Sequence, residues 1–392
     1  MNETVPAFPL RRPNPFDLPA EYRVMREDQP VRCARLHNGK PVWLVSRYAD
    51  VRAVLTDPGL SADRAAPGFP FLTDEAEYLR HIKVFVGMDA PEHGPHRRMF
   101  APEFTARNVA ALRPYIQGCV DERVDRLVDT GPPADLVAAL ALPVPALAIG
   151  RILGVPSSDS ALFEELTVRV ITHGGAEPFE ALVDYVKRLV RAKQGSTDDD
   201  LISRVLREHV NSGDLELRSM TIVLILILLA GYETTANTIS LGVLALLRHP
   251  EQLAALRRNT AAMPAAIAEL LRYTSVAELA TCRAATRDIE LAGTTIRAGD
   301  GVIPLAASAN RDPSVFPNPD VLDIHRDARR HLAFGHGAHA CMGAALAQLE
   351  LDIVFTTLLS RLPDLRLAGE LPDTAVKYDS VLFGLHALPI TW

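Results

Sequence analysis

Apolar residues return every three or four positions over most of this chain. They do so over Tyr48 to Leu55, Asn108 to Val128, Ala134 to Leu153, Ser157 to Val170 and Pro178 to Gln194, which predicts helices. Pro, Gly and Ser clusters separate these runs, and Asp57-Pro58-Gly59 stops the first. Leu215 to Leu247 is the longest such pattern, closed by His249-Pro250. Within it, Met220 to Gly231 is apolar on every face, so this helix should run through a core rather than along a surface. Pro264 to Tyr273 reads as a shorter helix. Strand patterning is confined to Pro41 to Ser46, Ile289 to Leu291 and Val302 to Ala306. The pattern predicts a mainly α fold with small β-sheets. Ala65 to Phe85 has no clean period and reads as a long loop with short helical pieces. Long loops in compact domains are often functional, which makes Phe69, Phe71 and Phe85 pocket candidates. No Gly/Ser-rich linker or repeat divides the chain. One domain is expected over 1–392, with a Pro-rich arm at 1–17.

Two stretches break the pattern in ways that suggest chemistry. The central helix turns polar at Ala230-Gly231-Tyr232-Glu233-Thr234-Thr235. An acid beside two hydroxyls in a buried apolar helix is costly unless bonded or useful. Thr can bond back to a carbonyl one turn earlier and loosen the helix, and Gly231 removes bulk where a flat ligand could lie. A Thr-rich kink with a surface Glu is the plain alternative. The second stretch, 331–347, runs from His331 through Phe334, Gly335, Gly337, His339, Cys341 and Gly343 into an apolar helix. Cys341 therefore sits at or near a helix N-terminus, where the dipole favours thiolate. Gly335, Gly337 and Gly343 would let backbone approach a large flat object. A flat, anionic, metal-centred partner describes haem, and thiolate is one way to hold its iron. Upstream, His93 and Arg97 stand at i, i+4 and would share a face able to grip carboxylates. Pro95 should lie in that helix's first turn, so the helix is expected to start near it. Glu269 and Arg272, at i, i+3, face one side and can pair.

Composition narrows the classes. The chain has 392 residues, 48% hydrophobic and 23% charged, enough for a large core. A net charge of −7 argues against nucleic acid as a partner. The four cysteines are scattered, with neither disulfide nor zinc spacing. The first residues hold no apolar run resembling a signal or anchor, and Met220 to Gly231 is too short to span a bilayer. No membrane association and a cytoplasmic location are expected.

The run Phe334-Gly335-x-Gly337-x-His339-x-Cys341-x-Gly343 resembles the haem-binding loop of the cytochrome P450 superfamily. The Ala-Gly-x-Glu-Thr-Thr and Glu-x-x-Arg segments follow the family's order and extend the resemblance over nearly the whole chain. It is most similar to soluble bacterial members from actinomycete secondary metabolism. The resemblance implies haem b between the long central helix and the Cys loop, with Cys341 on iron. It sets His93, Arg97, Arg283 and His339 at the haem rim. Ala230, Gly231, Phe334, Gly335 and Gly343 lie against the haem. Glu233 and Thr234 become an acid–alcohol pair that manages protons. Glu269, Arg272 and Arg326 form a buried charge cluster bracing the loop, and Asn310 to Pro319 an irregular meander before it. Leu279, Ala280 and Phe383 would face substrate. Glu278, pointing inward, would select a substrate bearing an amine or N–H; an isolated loop Glu is otherwise solvated.

Two positions depart from the family: Gly94-Pro95 stands where Thr and Arg are usual, and Tyr232 where many relatives have His. The implied activity is a monooxygenase that inserts oxygen from O₂ into a small-molecule secondary metabolite, by hydroxylation or epoxidation. Electrons would come from a ferredoxin and a ferredoxin reductase, with Arg98, Arg329 and Arg330 as a docking patch. Alternatives on the same scaffold are oxidative ring coupling, C–N bond formation or nitric oxide reduction. Phe8-Pro9-Leu10, Phe16-Asp17 and Ala141 to Pro156 look like the fungal nitric oxide reductase branch, whereas the acid–alcohol pair argues against it. A haem-based sensor or carrier is the non-enzymatic alternative.

Overall fold

The computed structural model describes residues 6–77, 80–173 and 175–392. The chain is mainly helical with three small sheets among the described residues, as the patterning predicts. It forms two compact units. One comprises Met1–Gly94, Ala268–Cys341 and Lys377–Gly384; the other comprises Pro95–Ile267, Met342–Val376 and Leu385–Trp392.

The first unit is built on a five-stranded sheet in the order Val31–Arg35, Pro41–Val45, Gly301–Pro304, Arg283–Ala285, Leu60–Ser61. Strand side chains alternate between faces. Val45 and Val302 join a cluster with Tyr48, Val51, Val54 and Leu55 of the helix Tyr48–Thr56. Val42, Leu44 and Ile303 join another with Tyr22 and Met25 of the helix Ala20–Asp28. Both faces are thus covered, which is why these strands read as nearly continuous apolar runs. The Pro-rich arm is part of this unit's frame. Phe8 N–H donates to the Arg35 carbonyl at 2.8 Å, Arg35 N–H donates to the Pro6 carbonyl at 2.9 Å, and Phe8 and Phe16 are buried.

The second unit surrounds the helix Leu217–Arg248, which packs on Pro143–Leu153, Ala176–Ala192 and Ala344–Arg361. This helix exceeds the apolar stretch considered above, and by length and composition it could cross a membrane; half of its most apolar window is buried within the protein. Prolines redraw two expected helices. Ala134 to Leu153 is a strand, Ala134–Asp135, then a wide turn Val137–Ala141, then the helix Pro143–Leu153. Pro143 has no N–H to give a preceding turn, so a new helix starts there. Asn108 to Val128 is two helices, Ala106–Ala111 and Arg113–Thr130, with Pro114 in the second one's first turn.

Glu350 is an acid that the apolar pattern around it concealed. It lies on Ala344–Arg361, is wholly buried, and its Oε2 has no hydrogen-bond partner. Burial pushes its carboxyl up to about 8 from 4.5. The folded state therefore holds this proton more tightly than the unfolded chain does. Stability should fall as pH rises from about 4.5 to about 8, by up to roughly 5 kcal/mol in all. Urea unfolding across that range measures the slope, and Glu350→Gln should flatten it.

Candidate active site

In the first unit the site is built outward from a buried ion cluster. Arg272, near the end of the helix Met263–Thr274, donates from Nε and Nη2 to the two oxygens of Glu269, both at 2.7 Å, and neither side chain is exposed. Glu269 Oε1 also accepts from Arg326 Nε at 3.2 Å and from the Asp323 N–H at 3.0 Å. The remaining guanidinium hydrogens reach the meander. Arg272 Nη1 donates to the Asn310 and Pro319 carbonyls, and Arg326 to those of Pro317, Asn318 and Val321. The three expected residues are therefore brought together. Asn310 and Arg311, expected only as part of the meander, complete the brace. Asn310 Nδ2 donates to Ser275 Oγ at 2.9 Å, and its Oδ1 accepts from the Leu332 N–H at 2.7 Å. Arg311 is buried on the carbonyls of Phe16 and Tyr273, both at 3.0 Å.

Leu332 opens the cysteine loop. Gly335 N–H donates to the Leu332 carbonyl at 2.9 Å, and Cys341 N–H to the Phe334 carbonyl at 2.8 Å. The His331 ring lies 5.4 Å from that of Phe334. Burial, with the Arg272 charge adding to it, depresses His331 to about 4, so it is neutral. Gly337 has φ +75°, and a Cβ there would meet the Leu55 carbonyl at 3.1 Å; the helix Tyr48–Thr56, rather than a ligand, requires this glycine. Arg52 of that helix holds His336 Nε2 at 3.0 Å. Cys341 is exposed at the loop's end, and the next helix begins three residues later at Ala344.

Around this loop, the His93 and His339 rings lie 4.1 Å apart. The helix of His93 spans His93–Phe100. It starts two residues earlier than expected, because a first-turn Pro95 has no N–H to lose. His93 and Arg97 thus do stand one turn apart on it. Arg283, on its sheet strand, is only 5% exposed; Nη1 donates to the Cys282 carbonyl at 2.8 Å, while Nη2 has no partner. Burial lowers its pKa. A buried guanidinium nitrogen without an acceptor is costly, and an anionic ligand group would complete it.

In the second unit, the polar break lies within the continuous helix Leu217–Arg248. Thr234 Oγ1 donates to the Ala230 carbonyl at 2.7 Å and Thr235 Oγ1 to that of Gly231 at 3.1 Å. Glu233 and Thr234 are half-buried, and Ala230 is exposed. Tyr232 is fully buried with its hydroxyl unpartnered; burial first, then the charges of Glu233 and Glu164, push its ionisation up. A Cβ on Gly231 would meet only Ile149, at an ordinary 3.6 Å, and one on Gly343 nothing within 4 Å. Protein packing does not demand glycine at either position. In the first unit, an exposed Cys341 and an uncompleted buried guanidinium suit the iron and the anionic edge of a haem b.

The residues expected to face substrate all lie in the first unit. Phe71 and Phe85 are buried, Phe71 with Phe69 at 5.1 Å and under Arg80 at 4.8 Å. Leu279 is half-buried against the Phe8 cluster, and Ala280 is exposed. Glu278 is buried rather than solvated. It is 8% exposed; its Oε2 accepts from Arg12 Nη2 at 3.1 Å, while its Oε1 makes no hydrogen bond. Of the basic surface residues, Arg98 is exposed, Arg329 pairs with Asp327 at 2.7 Å, and Arg330 lies over the Tyr48 ring at 5.7 Å.

Residues 171–364 match the family model for Cytochrome P450. The chain is 45% identical to pentalenic acid synthase of Streptomyces avermitilis, over 98% of this chain and 97% of that protein. It is 39% identical to vitamin D3 dihydroxylase of Streptomyces griseolus, over 99% and 97%. Among solved structures, cytochrome P450 MoxA from Nonomuraea recticatena superposes with a TM-score of 0.94 at 44% identity, over 98% of each chain. Mycinamicin VIII C21 methyl hydroxylase from Micromonospora griseorubida, bound to mycinamicin VIII, superposes at 0.91 and 39% identity, over 99% of this chain and 100% of that one. With likeness on this scale over its full length, and residues that suit a haem b held by a cysteine thiolate, the chain belongs to the cytochrome P450 family of haem-thiolate monooxygenases.

Proposed function

We propose that this enzyme hydroxylates a largely apolar small molecule of secondary metabolism, with Cys341 as the thiolate on the haem iron. The observation that carries the assignment is an exposed Cys341 at the end of a loop pinned by Asn310 on one side and Arg52 on the other. His93, Arg97, Arg283 and His339 hold the anionic edge, Arg283 through the nitrogen that lacks an acceptor. When bound, the haem supplies an iron that activates O₂ with electrons from outside the chain. We assign that supply to a ferredoxin and its reductase, in the cytoplasm.

The chain's own part is proton management and positioning. The Thr234 hydroxyl spends its hydrogen on the Ala230 carbonyl, which leaves its lone pairs free to accept from an ordered water. Glu233, the adjacent acid on the helix, resupplies the proton. Thr234→Ala should keep haem but release hydrogen peroxide in place of product. Product formed per reduced nicotinamide consumed should fall on the order of tenfold or more. Undiminished coupling would refute the role. The substrate class rests on relatives whose names give pentalenic acid, vitamin D3 and mycinamicin VIII as products or substrates. A panel of such metabolites, screened for the spectral shift on binding and for gain of one oxygen atom, tests it; no shift and no product with any member would count against the reading.

A further inference from the structure

We propose that Arg12 and Glu278 are a positioning pair through which the N-terminal arm sets the shape of the substrate pocket. This rests on the assignment of Leu279, Ala280 and Phe383 to that pocket. Arg12 is 5% exposed, although it lies in a Pro-rich arm that would ordinarily be solvated. Its Nη1 donates to the Thr274 carbonyl at 3.1 Å, and its Nη2 to the Ser275 carbonyl at 3.2 Å and to Glu278 Oε2 at 3.1 Å. Its guanidinium plane lies 4.1 Å over the Phe383 ring. One side chain thus grips two pocket segments that are about a hundred residues apart in the chain. The preceding residue repeats the grip, with Arg11 lying 4.5 Å over the Tyr378 ring.

The gripped segments are also tied to each other. Phe383 N–H donates to the Val276 carbonyl at 3.0 Å, and Lys377 N–H to that of Gly384 at 2.9 Å, closing the tip. Ser275, where the chain leaves the Glu269–Arg272 helix, has φ +44°, an unfavourable value for a residue with a side chain. Arg12 holds its carbonyl, its own Oγ donates to the Arg272 carbonyl at 2.8 Å, and Asn310 donates to that Oγ. The direction in which Val276 to Cys282 departs is therefore imposed by contacts rather than by local preference. Tyr22 of the helix Ala20–Asp28 faces the same Glu278 carboxylate, and burial first, then that charge, pushes its ionisation up. A buried pair of this kind need not add net stability, because desolvation opposes its Coulombic attraction.

The test uses the haem-loaded enzyme with two iron-binding azoles of different bulk: imidazole, a single small ring, and clotrimazole, which carries three aromatic rings beside its imidazole. Arg12→Ala should weaken clotrimazole by about tenfold, as expected for displaced positioning groups, and leave imidazole unchanged. Glu278→Gln keeps the shape but not the charge, and should shift the same ratio less, in the same direction; it carries the test should Arg12→Ala fail to fold. An unchanged clotrimazole-to-imidazole ratio in the haem-loaded variants overturns the proposal. Absence of any azole shift in the unsubstituted enzyme would instead strike at the haem assignment.

Discussion

Cys341→Ser should abolish the red-shifted Soret band that the reduced carbonyl complex shows when a thiolate is on the iron. The loss should be complete, because no other cysteine can take the place. Cys33, Cys119 and Cys282 are at least partly buried, while Cys341 is exposed. Burial raises the Cys119 thiol and pushes that of Cys282 up to about 12, so neither offers a thiolate near neutral pH. Serine keeps the loop's backbone but supplies an alcohol, a far poorer donor of electron density to iron. Cys282→Ser is the control and should keep the band. A band surviving in Cys341→Ser would mean that another residue binds the iron.

The second large effect concerns Glu269. Its carboxylate accepts from Arg272 twice, from Arg326 and from the Asp323 N–H. Glu269→Gln keeps the volume but leaves the fully buried Arg272 guanidinium without its counter-charge. Breaking such a pair should cost about 3–5 kcal/mol. A shift of the urea midpoint measures it, and a change below about 1 kcal/mol, the scale of an exposed pair, would refute the bracing role. Haem content should fall alongside, because Arg272 also holds the Asn310 carbonyl, and Asn310 holds the N–H of Leu332 at the start of the cysteine loop.

Much of the fold class and the site was legible because its signals are local. The spacing of Glu269 and Arg272 places them on one helix side whatever packs around them, and the structure pairs them. His93 and Arg97 are one turn apart for the same reason. The abrupt polarity at Glu233 within an apolar helix is likewise a fact of neighbours in sequence. Glu350 escaped notice because its helix reads as apolar and nothing adjacent to it marks burial. Its environment comes from other elements.

Local order along the chain, then, determined the mainly helical pattern, the cysteine loop before a helix and the acid–alcohol break in the central helix. Tertiary structure alone decided what each charge and each glycine is for. Glu278 could be assigned to solvent until Arg12, 266 positions away, was seen paired with it in the interior. Gly337 could be assigned to a ligand until the Leu55 carbonyl was seen against it. Arg283 was placed at the haem rim by resemblance alone until burial was seen to leave one of its nitrogens without an acceptor. The physical reason is the same throughout. Backbone periodicity specifies which side chains share a face, whereas desolvation and hydrogen bonding depend on what the rest of the chain brings against that face.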